Sequence, residues 1–396
     1  MEIAKTLSGA GACSLEKPFA QKNGGPLVCF VIPDLGLSGA EIVSTTLARE
    51  FLRRGYRVDI VTIFEISEAQ QSLPEGARHF PILCKSIREL FIPYRRYLRT
   101  ERPDVIVASM WPLTVIAAAA KVTSLVKASL ILWDHNTLSI QYGGRGRAHH
   151  LFLKSSLRFL YPLADARVAV SNGVAEDLAV LADLPKDSFE VIYNPIYLAP
   201  VADREDAREA EELWRGWRGP RIISVGRFKP QKNHALLLKA FKSLLASRDA
   251  RLLILGTGVL FESTAALARS LGIADKVMLP GARVNPAAYY ESADLFVLSS
   301  DFEGFGNVIV EALASGLPVV STDCRSGPAE ILEHGRYGRL VPVGDSAALA
   351  QAMLSSLDET HDKEALKRRA LDFSPEHIAD RFLRLMHLEA SANVTP

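Results

Sequence analysis

Short runs of apolar residues alternate with stretches of helical period near the start of the chain. The apolar run Val28 to Ile32 precedes the amphipathic stretch Glu41 to Arg54, and Val58 to Ile63 is the next run. This alternation predicts βαβ units and a parallel sheet. The side chains predicted to face inward from the amphipathic stretch are Ile42, Leu47 and Leu52. Later runs extend the predicted sheet: Val105 to Ala108, Leu130 to Trp133, Val168 to Val170 and Val191 to Tyr193.

A charged stretch at residues 202–218 interrupts this pattern. The alternation then restarts with further runs at Ile222 to Val225, Leu252 to Leu255, Val277 to Leu279, Leu295 to Leu298, Val319 to Val320 and Leu340 to Val341. We therefore predict an α/β protein with two Rossmann-like, doubly wound domains, residues 25–197 and 220–374, joined by a linker at 198–219. The strands of both domains are predicted to end at a central cleft, where open α/β sheets bind ligands.

Both ends of the chain lie outside the predicted domains. Residues 1–24 include Ala10-Gly11-Ala12-Cys13, which resembles a lipoprotein cleavage site, but no charged start and long apolar region precede it. We interpret this segment as a disordered leader. The stretch Pro375 to Leu388 has helical period, and we expect it to pack back on the first domain. Its apolar positions are Ile378, Phe382, Leu385 and Met386.

The composition excludes several kinds of ligand and several kinds of protein. Lys plus Arg number 46 and Asp plus Glu number 45. The net charge is therefore close to zero and gives no general electrostatic attraction for nucleic acid. The cysteines lack the paired spacing of a zinc cluster or a disulfide framework, which fits a reducing, cytoplasmic compartment. They are Cys13, Cys29, Cys84 and Cys324. No apolar stretch approaches the ~20 residues that span a bilayer.

Two strand ends of the first domain carry candidate ligand contacts. In residues 34–41 (DLGLSGAE), Ser38 and Glu41 have the spacing of a capping box, and the free amides of such a helix start attract phosphate. The alternative is an ordinary strand-to-helix turn, and the three-glycine fingerprint of a nicotinamide site is missing. His135 follows an apolar run and is predicted on the cleft side. The alternative for His135 is a buried structural histidine.

One basic loop begins the second domain. Residues 226–233 (GRFKPQKN) follow a predicted core strand and place Arg227 and Lys232 five residues apart. A planar guanidinium and an ammonium group can converge on one phosphate. The alternative is a solvated surface loop. The position directly after a core strand favours contact with a diphosphate.

Residues 301–316 (DFEGFGNVIVEALASG) are the most informative segment. They follow a predicted strand, and a helix is predicted to begin near Gly306 and to end at Gly316. Glu303 then lies on the loop, and Glu311 lies inside the helix. A similar turn, GPAEI at 327–331, follows one strand later.

The start of this helix combines two kinds of hydrogen-bonding group. Its exposed amides form an anion site at Gly306, Asn307 and Val308. The carboxylates of Glu303 and Glu311 can accept hydrogen bonds from sugar hydroxyls. The alternative is a surface helix flanked by glycines.

Four stretches together resemble a known family. They are LGLSGAE at 35–41, VGRFKPQKN at 225–233, PGARVNPAAYYESADLFVLSS at 280–300 and EGFGNVIVEALASGLPVVSTDCRSGPAEIL at 303–332. They resemble the retaining, nucleotide-sugar-dependent glycosyltransferases of family 4, and in particular those that build bacterial surface polysaccharides. The resemblance covers the chain outside its two ends. It implies the two-domain GT-B architecture.

The resemblance also implies roles for individual residues of the second domain. Arg227 and Lys232 would hold the donor diphosphate, and Glu311 would bind the nucleotide ribose. The donor sugar would be held by Glu303 and by the backbone of Gly304, Phe305, Gly306, Asn307 and Val308. The chain would pass close to the nucleotide at Gly256 and Gly258. The base would lie beside Pro280, Gly281 and Arg283.

In the first domain the resemblance assigns His135 and Gly39 to the sugar and phosphate face. The implied reaction moves a hexose or N-acetylhexosamine from a nucleoside diphosphate sugar, expected to be UDP-linked, to a hydroxyl of a lipid-linked saccharide with retention. Neither a metal ion nor another cofactor is expected. The alternatives are a GT-B epimerase or phosphorylase, a nicotinamide-dependent oxidoreductase, and a catalytically silent module that binds a sugar nucleotide.

The acceptor side of the predicted cleft carries an uneven charge. Residues 85–167 contain thirteen Lys plus Arg against five Asp plus Glu. Two segments, 86–103 and 145–162, mix basic residues with Leu, Phe and Tyr, as do segments that lie on anionic membrane surfaces. We therefore expect peripheral contact with the inner face of the cytoplasmic membrane. The alternative is that the apolar residues pack on the core and the basic residues are solvated.

Overall fold

The computed structural model describes residues 25–36, 39–64, 73–84, 86–197, 204–283 and 285–386. The predicted leader at 1–24 and the predicted capping residue Ser38 lie outside the described residues. Within these ranges the chain forms two parallel sheets flanked by helices. This confirms the predicted α/β architecture of two doubly wound sheets.

The first sheet has seven strands in the part of the chain that is described, in the order β3-β2-β1-β4-β5-β6-β7. They are β1 (Leu27–Val31), β2 (Arg57–Thr62), β3 (Arg78–Pro81), β4 (Val105–Ser109), β5 (Ser129–Asp134), β6 (Ala166–Ala169) and β7 (Glu190–Val191). The central strands are buried on both faces, which explains their continuous apolar runs. The order reverses between β1 and β4, and the loops after these strands open a crevice there.

The helices around the first sheet are α1 (Gly39–Arg53), α2 (Phe91–Glu101), α3 (Leu113–Ser124), α4 (Leu138–Gln141), α5 (Arg147–Leu160) and α6 (Asn172–Ala182). Helix α1 buries Val43, Leu47 and Phe51, whereas Ile42 is 40% exposed. The prediction that Ile42 faces inward was wrong, because Val43 occupies the inward position. Ser171 begins α6 by accepting a hydrogen bond from the Val174 N–H.

The second sheet has six strands within the described ranges, in the order β10-β9-β8-β11-β12-β13. They are β8 (Arg221–Val225), β9 (Arg251–Leu255), β10 (Val277–Gly281), β11 (Leu295–Leu298), β12 (Val319–Thr322) and β13 (Arg339–Val341). The order reverses between β8 and β11, so this sheet repeats the crevice of the first.

The remaining helices are α7 (Arg204–Leu213), α8 (His234–Leu245), α9 (Phe261–Ser270), α10 (Ala287–Glu291), α11 (Asn307–Ala314), α12 (Pro328–Ile331), α13 (Ser346–Asp358), α14 (Lys363–Leu371) and α15 (Pro375–Leu385). Helices α7 and α15 lie where the chain passes from one domain to the other. After α7, Trp214 Nε1 donates to Ser292 Oγ at 2.9 Å, which ties this segment to the second sheet. Helix α15 packs on α1, and Phe382 contacts Trp133 with ring centroids 4.8 Å apart.

Strand β3 is missing from the sequence-based prediction. Its residues, Arg78 to Pro81, include only one large apolar side chain, so no apolar run marks it. It lies at the edge of the sheet, where Arg78 forms a bidentate ion pair with the buried Asp59 of β2 at 2.7 and 2.8 Å. Among the described residues, no helix combines the length and apolarity needed to cross a membrane.

Candidate active site

The carboxyl ends of the two sheets face each other and are joined by hydrogen bonds. Ser171 Oγ donates to the Gly304 carbonyl oxygen at 2.7 Å, and Asn194 Nδ2 donates to Asn307 Oδ1 at 2.8 Å. The close approach of the two domains explains why residue 304 is a glycine. A Cβ at Gly304 would lie 1.8 Å from the His135 carbonyl oxygen. Gly304 is therefore required for the two domains to meet.

The predicted pair Lys232 and Glu303 forms the polar centre of the cleft. Lys232 Nζ lies 2.6 Å from Glu303 Oε1, and both side chains are largely buried. Ser300 Oγ donates to the same oxygen at 2.6 Å, and Gln231 Nε2 lies 3.3 Å from Oε2. The sequence analysis missed Ser300 and Gln231, although both lie within the motifs it identified. They hold the Glu303 carboxylate in one orientation.

Two further cations, Arg227 and Lys229, lie on the same loop as Lys232. The Arg227 side chain is exposed and forms no hydrogen bond or ion pair with the described residues. Burial lowers the pKa of Lys229, and the positive charges of Lys232 and Arg227 lower it further, while Glu303 opposes them. The loop after β8 therefore carries three cations, of which Lys232 and Lys229 interact with the Glu303 carboxylate. The sequence analysis did not select Lys229, although it lies between the two predicted cations.

The start of α11 adds backbone donors to these cations. Gly306 precedes the helix with φ of +104°, a conformation that favours glycine, and no side chain caps the helix there. The first N–H groups of α11, beginning at Asn307 and Val308, are therefore available to an anion. Phe305 is buried and stacks on Tyr193 with ring centroids 5.4 Å apart, so it anchors the loop rather than lining it.

Glu311 lies one turn into α11 and is held by a tyrosine that the sequence analysis missed. Tyr290 OH donates to Glu311 Oε2 at 2.9 Å. Burial raises the pKa of Glu311, while the hydrogen bond from Tyr290 and the charge of Lys232 act in the opposite direction. One carboxylate oxygen of Glu311 thus has a fixed protein partner. No sequence signal linked Tyr290 to Glu311.

The structure gives Gly256 and Gly258 a packing role. Both have positive φ, of +146° and +150°. A Cβ would lie 2.0 Å from the Gly226 oxygen at Gly256, and 2.5 Å from the Phe228 oxygen at Gly258. The loop after β9 therefore needs these glycines to pack against the loop after β8. Contact with a nucleotide stays a prediction.

The end of β10 is held by the Arg283 side chain. Its Nε donates to Tyr289 OH and its Nη1 to the Pro280 carbonyl oxygen, both at 2.9 Å, and Nη2 pairs with Glu209. The Gly281 carbonyl oxygen accepts from the Gly256 N–H at 2.9 Å. The Arg283 guanidinium is therefore engaged within the protein. A nucleotide base would meet backbone here, as the resemblance implies.

Of the two residues predicted on the first-domain side, His135 is buried and Gly39 is exposed. His135 directly follows β5, is 7% exposed and contacts Trp133 with ring centroids 4.4 Å apart. Burial lowers the pKa of His135 to about 3, so the imidazole is neutral at pH 7. Gly39 begins α1, and a Cβ there would lie 3.5 Å from Asn307 Nδ2.

Glu41, one turn into α1, links the two sides electrostatically. Burial raises the pKa of Glu41 to about 7; Asp34 acts in the same direction and Arg227 against it. The start of α1 therefore faces the basic loop of the second domain. Among the residues described, no group of three or more His, Cys, Asp and Glu side chains could hold a metal ion.

Family models and relatives agree with this geometry. Residues 37–199 match the model described as Glycosyltransferase Family 4, and residues 219–359 match the model described as Glycosyl transferases group 1. An N-acetylgalactosamine-N,N'-diacetylbacillosaminyl-diphospho-undecaprenol 4-alpha-N-acetylgalactosaminyltransferase of Campylobacter jejuni is 31% identical over 86% of this chain and 92% of its own length. The chain belongs to glycosyltransferase family 4.

Other relatives of this glycosyltransferase act in bacterial polysaccharide synthesis. The lipopolysaccharide core biosynthesis glycosyltransferase LpsE of Rhizobium meliloti is 32% identical over 92% of this chain and 96% of its own length. Among solved structures, Anabaena HepE in complex with UDP and glucose superposes with a TM-score of 0.76 and 19% identity, covering 91% of this chain and 99% of HepE. This structural match confirms the two-domain GT-B fold.

Proposed function

We propose that this glycosyltransferase transfers a hexose or N-acetylhexosamine from a UDP-sugar to a hydroxyl of a lipid-linked saccharide, with retention and without a metal ion. The observation that carries the proposal is the basic loop with Arg227, Lys229 and Lys232, whose Lys232 pairs with Glu303 just before the uncapped start of α11. These groups carry the positive charge that a diphosphate leaving group requires. Glu303 and Glu311 are the carboxylates available to the donor's hydroxyls.

The chemistry follows from where charge develops. The bond between the anomeric carbon and the diphosphate oxygen breaks, and a bond from the acceptor oxygen forms on the same face of the sugar. The acceptor proton passes to the leaving diphosphate. Arg227, Lys232 and the amides of α11 would stabilise the growing negative charge, and preorganised stabilisation of this kind is usually the largest catalytic contribution. His135 is uncharged and buried, so we propose that it positions the donor sugar and does not transfer a proton.

The choice of donor and acceptor rests on the relatives. Anabaena HepE has been solved with UDP and glucose, and the Campylobacter jejuni relative is named for a saccharide on diphospho-undecaprenol. These names support a uracil base and a lipid-linked acceptor for the present chain. The acceptor would then reach the cleft from a membrane surface.

Helix α5 has an exposed face that suits such a surface. Its outward side chains include Leu151, Phe152 and Phe159, which are 68%, 60% and 70% exposed. Arg147 and Lys154 are exposed on the same helix without an ion pair among the described residues. We propose that this face lies on the anionic inner leaflet. Each basic residue near such a surface contributes about 1 kcal/mol, and each inserted large apolar side chain contributes up to ~3 kcal/mol.

The donor proposal is tested by thermal unfolding with UDP, GDP, ADP, CDP and NAD, with and without a chelator. A nucleotide at ~100 times its Kd adds about 2.7 kcal/mol to the free energy of unfolding, which gives a clear shift. We expect UDP to stabilise the protein equally in the presence of chelator. Stabilisation by NAD alone, or by no diphosphate, would contradict the proposal. The anomeric configuration of the product, measured by NMR, tests retention.

The membrane proposal is tested by flotation with vesicles of phosphatidylglycerol or phosphatidylcholine. We expect binding to the anionic vesicles that falls as salt rises, and loss of most binding in a Phe152→Ser/Phe159→Ser variant. Val259→Ser is the matched control, because Val259 is 88% exposed on the second domain. Equal flotation with both lipids, or equal loss in the control, would contradict the proposal.

A further inference from the structure

The start of α6 contacts the second domain at two places. Ser171, which precedes the helix, donates from Oγ to the carbonyl oxygen of Gly304 at 2.7 Å. Gly304 lies on the donor loop, our name for residues 299–306 between β11 and α11. Two residues after Ser171, a Cβ at Gly173 would lie 2.2 Å from Ser326 Oγ in the turn after β12. The first turn of α6 is therefore packed directly against the second domain.

Glu330 holds the residue that lies between these two contacts. Both of its carboxylate oxygens lie 2.9 Å from the backbone nitrogen of Asn172, and Oε2 also accepts from Asn172 Nδ2 at 2.7 Å. Asn172 is the first residue of α6, so the helix itself provides no acceptor for its N–H. The helix dipole stabilises a carboxylate at this end, and hydrogen bonds to a charged acceptor are strong. Glu330 therefore caps α6 from the other domain.

The turn that carries Glu330 is fixed within the second domain. The guanidinium of Arg369, whose side chain is 10% exposed, donates to the carbonyl oxygens of Glu330 and Ile331 at 2.8 and 2.9 Å. Ser326 and Gly327 have positive φ, of +75° and +95°. Such a conformation is rare for a serine and persists only where the surrounding structure holds it. The Glu330 carboxylate therefore extends towards α6 from a well-defined position.

The same turn packs on the donor loop. A Cβ at Gly327 would lie 1.7 Å from the Phe305 carbonyl oxygen. The Phe305 ring stacks on Tyr193 of the first domain with ring centroids 5.4 Å apart. Burial raises the pKa of Tyr193, and the nearby charge of Glu330 raises it further. Glu330 therefore lies where α6, the stack of Tyr193 on Phe305 and the donor loop meet.

We propose that Glu330 is a positioning residue: by fastening the start of α6 to the second domain, it sets how closely the donor loop approaches the first domain. Glu303 and Gly304 lie on this loop, so the same contact would place the donor sugar relative to the acceptor. Displacements of about 1 Å between reacting groups can cost ~10² in rate. The proposal gives a role to the GPAEI turn at 327–331, to which the donor contacts assign none. It rests on the proposed function for the reaction that is positioned.

Turnover and UDP binding of Glu330→Ala and Glu330→Gln, measured on the full chain, test the proposal. We expect Glu330→Ala to lower kcat by ~10²-fold while the Kd for UDP changes by about twofold or less, because the basic loop and α11 are untouched. Glu330→Gln keeps one uncharged acceptor oxygen, so its kcat should lie between those of the wild type and Glu330→Ala. Glu333→Ala is the matched control, because Glu333 pairs with Arg336 and Arg369 of its own domain. Its kcat should stay near that of the wild type.

Hydrogen exchange at the start of α6, followed by mass spectrometry, tests the contact without reference to catalysis. The backbone amides of residues 172–174 should exchange faster in Glu330→Ala than in the wild type or in Glu333→Ala. The number of UDP sites per chain separates a positioning role from damage to the fold, because partial unfolding would reduce it.

Four outcomes would overturn the proposal: a normal kcat in Glu330→Ala, an equal loss in Glu333→Ala, a loss of UDP sites that accounts for the lower kcat, and unchanged exchange. UDP binding by the wild type reports separately on the proposed function. Faster exchange at α6 in a protein that does not bind UDP would contradict the proposed donor and leave the contact between the domains in place.

Discussion

The two sides of the cleft have the same topology and opposite chemistry. Each is formed by loops at a reversal of strand order, between β1 and β4 in one sheet and between β8 and β11 in the other. On the second side, Lys232 forms an ion pair with Glu303 at 2.6 Å, and Arg227 lies on the same loop as Lys232. On the first side, burial leaves His135 neutral and raises the pKa of Asp134 to about 7. One fold thus supplies an ion pair with further cations on one side of the cleft and buried groups of reduced charge, Asp134 and His135, on the other.

The difference indicates a division of labour. A diphosphate needs cations and oriented N–H groups, which the second side carries at Arg227, Lys229 and the start of α11. A sugar needs hydrogen-bonding groups and apolar surface without a strong field, which the first side carries at Asp134 and Trp111. Three predictions test this division.

The largest effect is expected from Arg227→Ala. Removal of one preorganised stabiliser of transition-state charge lowers kcat by about 10²–10³-fold, and we expect this loss with an unchanged unfolding transition because Arg227 is exposed. The measurement is the rate of donor turnover. Lys239→Ala, which removes an exposed cation on the outer side of α8, is the matched control. Near-normal turnover in Arg227→Ala would show that Arg227 does not stabilise charge in the transition state.

A smaller loss is expected from Gly304→Ala, which tests whether the two halves must meet. The added Cβ would lie 1.8 Å from the His135 carbonyl oxygen, so the domains must separate there. Displacements of about 1 Å can cost ~10² in rate. We expect such a loss of turnover with little change in UDP binding. Gly144→Ala is the control, since a Cβ there has no neighbour within 4 Å. Unchanged turnover in Gly304→Ala would mean that the contact is dispensable.

The smallest effect concerns the first side of the cleft and appears in stability. The pKa of Asp134 is raised to about 7 from 3.8 by burial, so the folded protein holds a proton that the unfolded chain has released between these values. Asp134 should therefore contribute a fall in the free energy of unfolding as pH rises from 4 to 7, by at most about 1.4 kcal/mol per unit, and no further change above pH 7. His135, whose pKa is lowered to about 3, contributes in the opposite direction below pH 6.5, so the Asp134 component is the difference between the wild type and Asp134→Asn. Chemical denaturation at several pH values measures it. Asp134→Asn should remove this component, and an identical pH profile in the variant would show that Asp134 is ionised throughout.

Much of the fold was predictable because buried parallel strands leave continuous apolar runs. Each apolar run of the sequence analysis became a strand, with ends shifted by a few residues, as in Val191 to Tyr193 against β7. Strand β3 was missed because it is an edge strand whose Arg78 is paired with Asp59 rather than an apolar residue. The inward face of α1 was misjudged at Ile42, because helical period does not by itself set the rotation of a helix against its sheet.

The sequence by itself determined the two sheets, the loops that follow their strands and the motif residues Arg227, Lys232, Glu303 and Glu311, because these depend on local pattern and order along the chain. Only the tertiary structure decided which groups touch. The contact of Gly304 with His135, the hydrogen bond from Tyr290 to Glu311 and the hydrogen bonds from Asn172 to Glu330 all join residues that are distant in sequence. Such contacts depend on how helices rotate and how domains meet, and neither leaves a periodic signal in the chain.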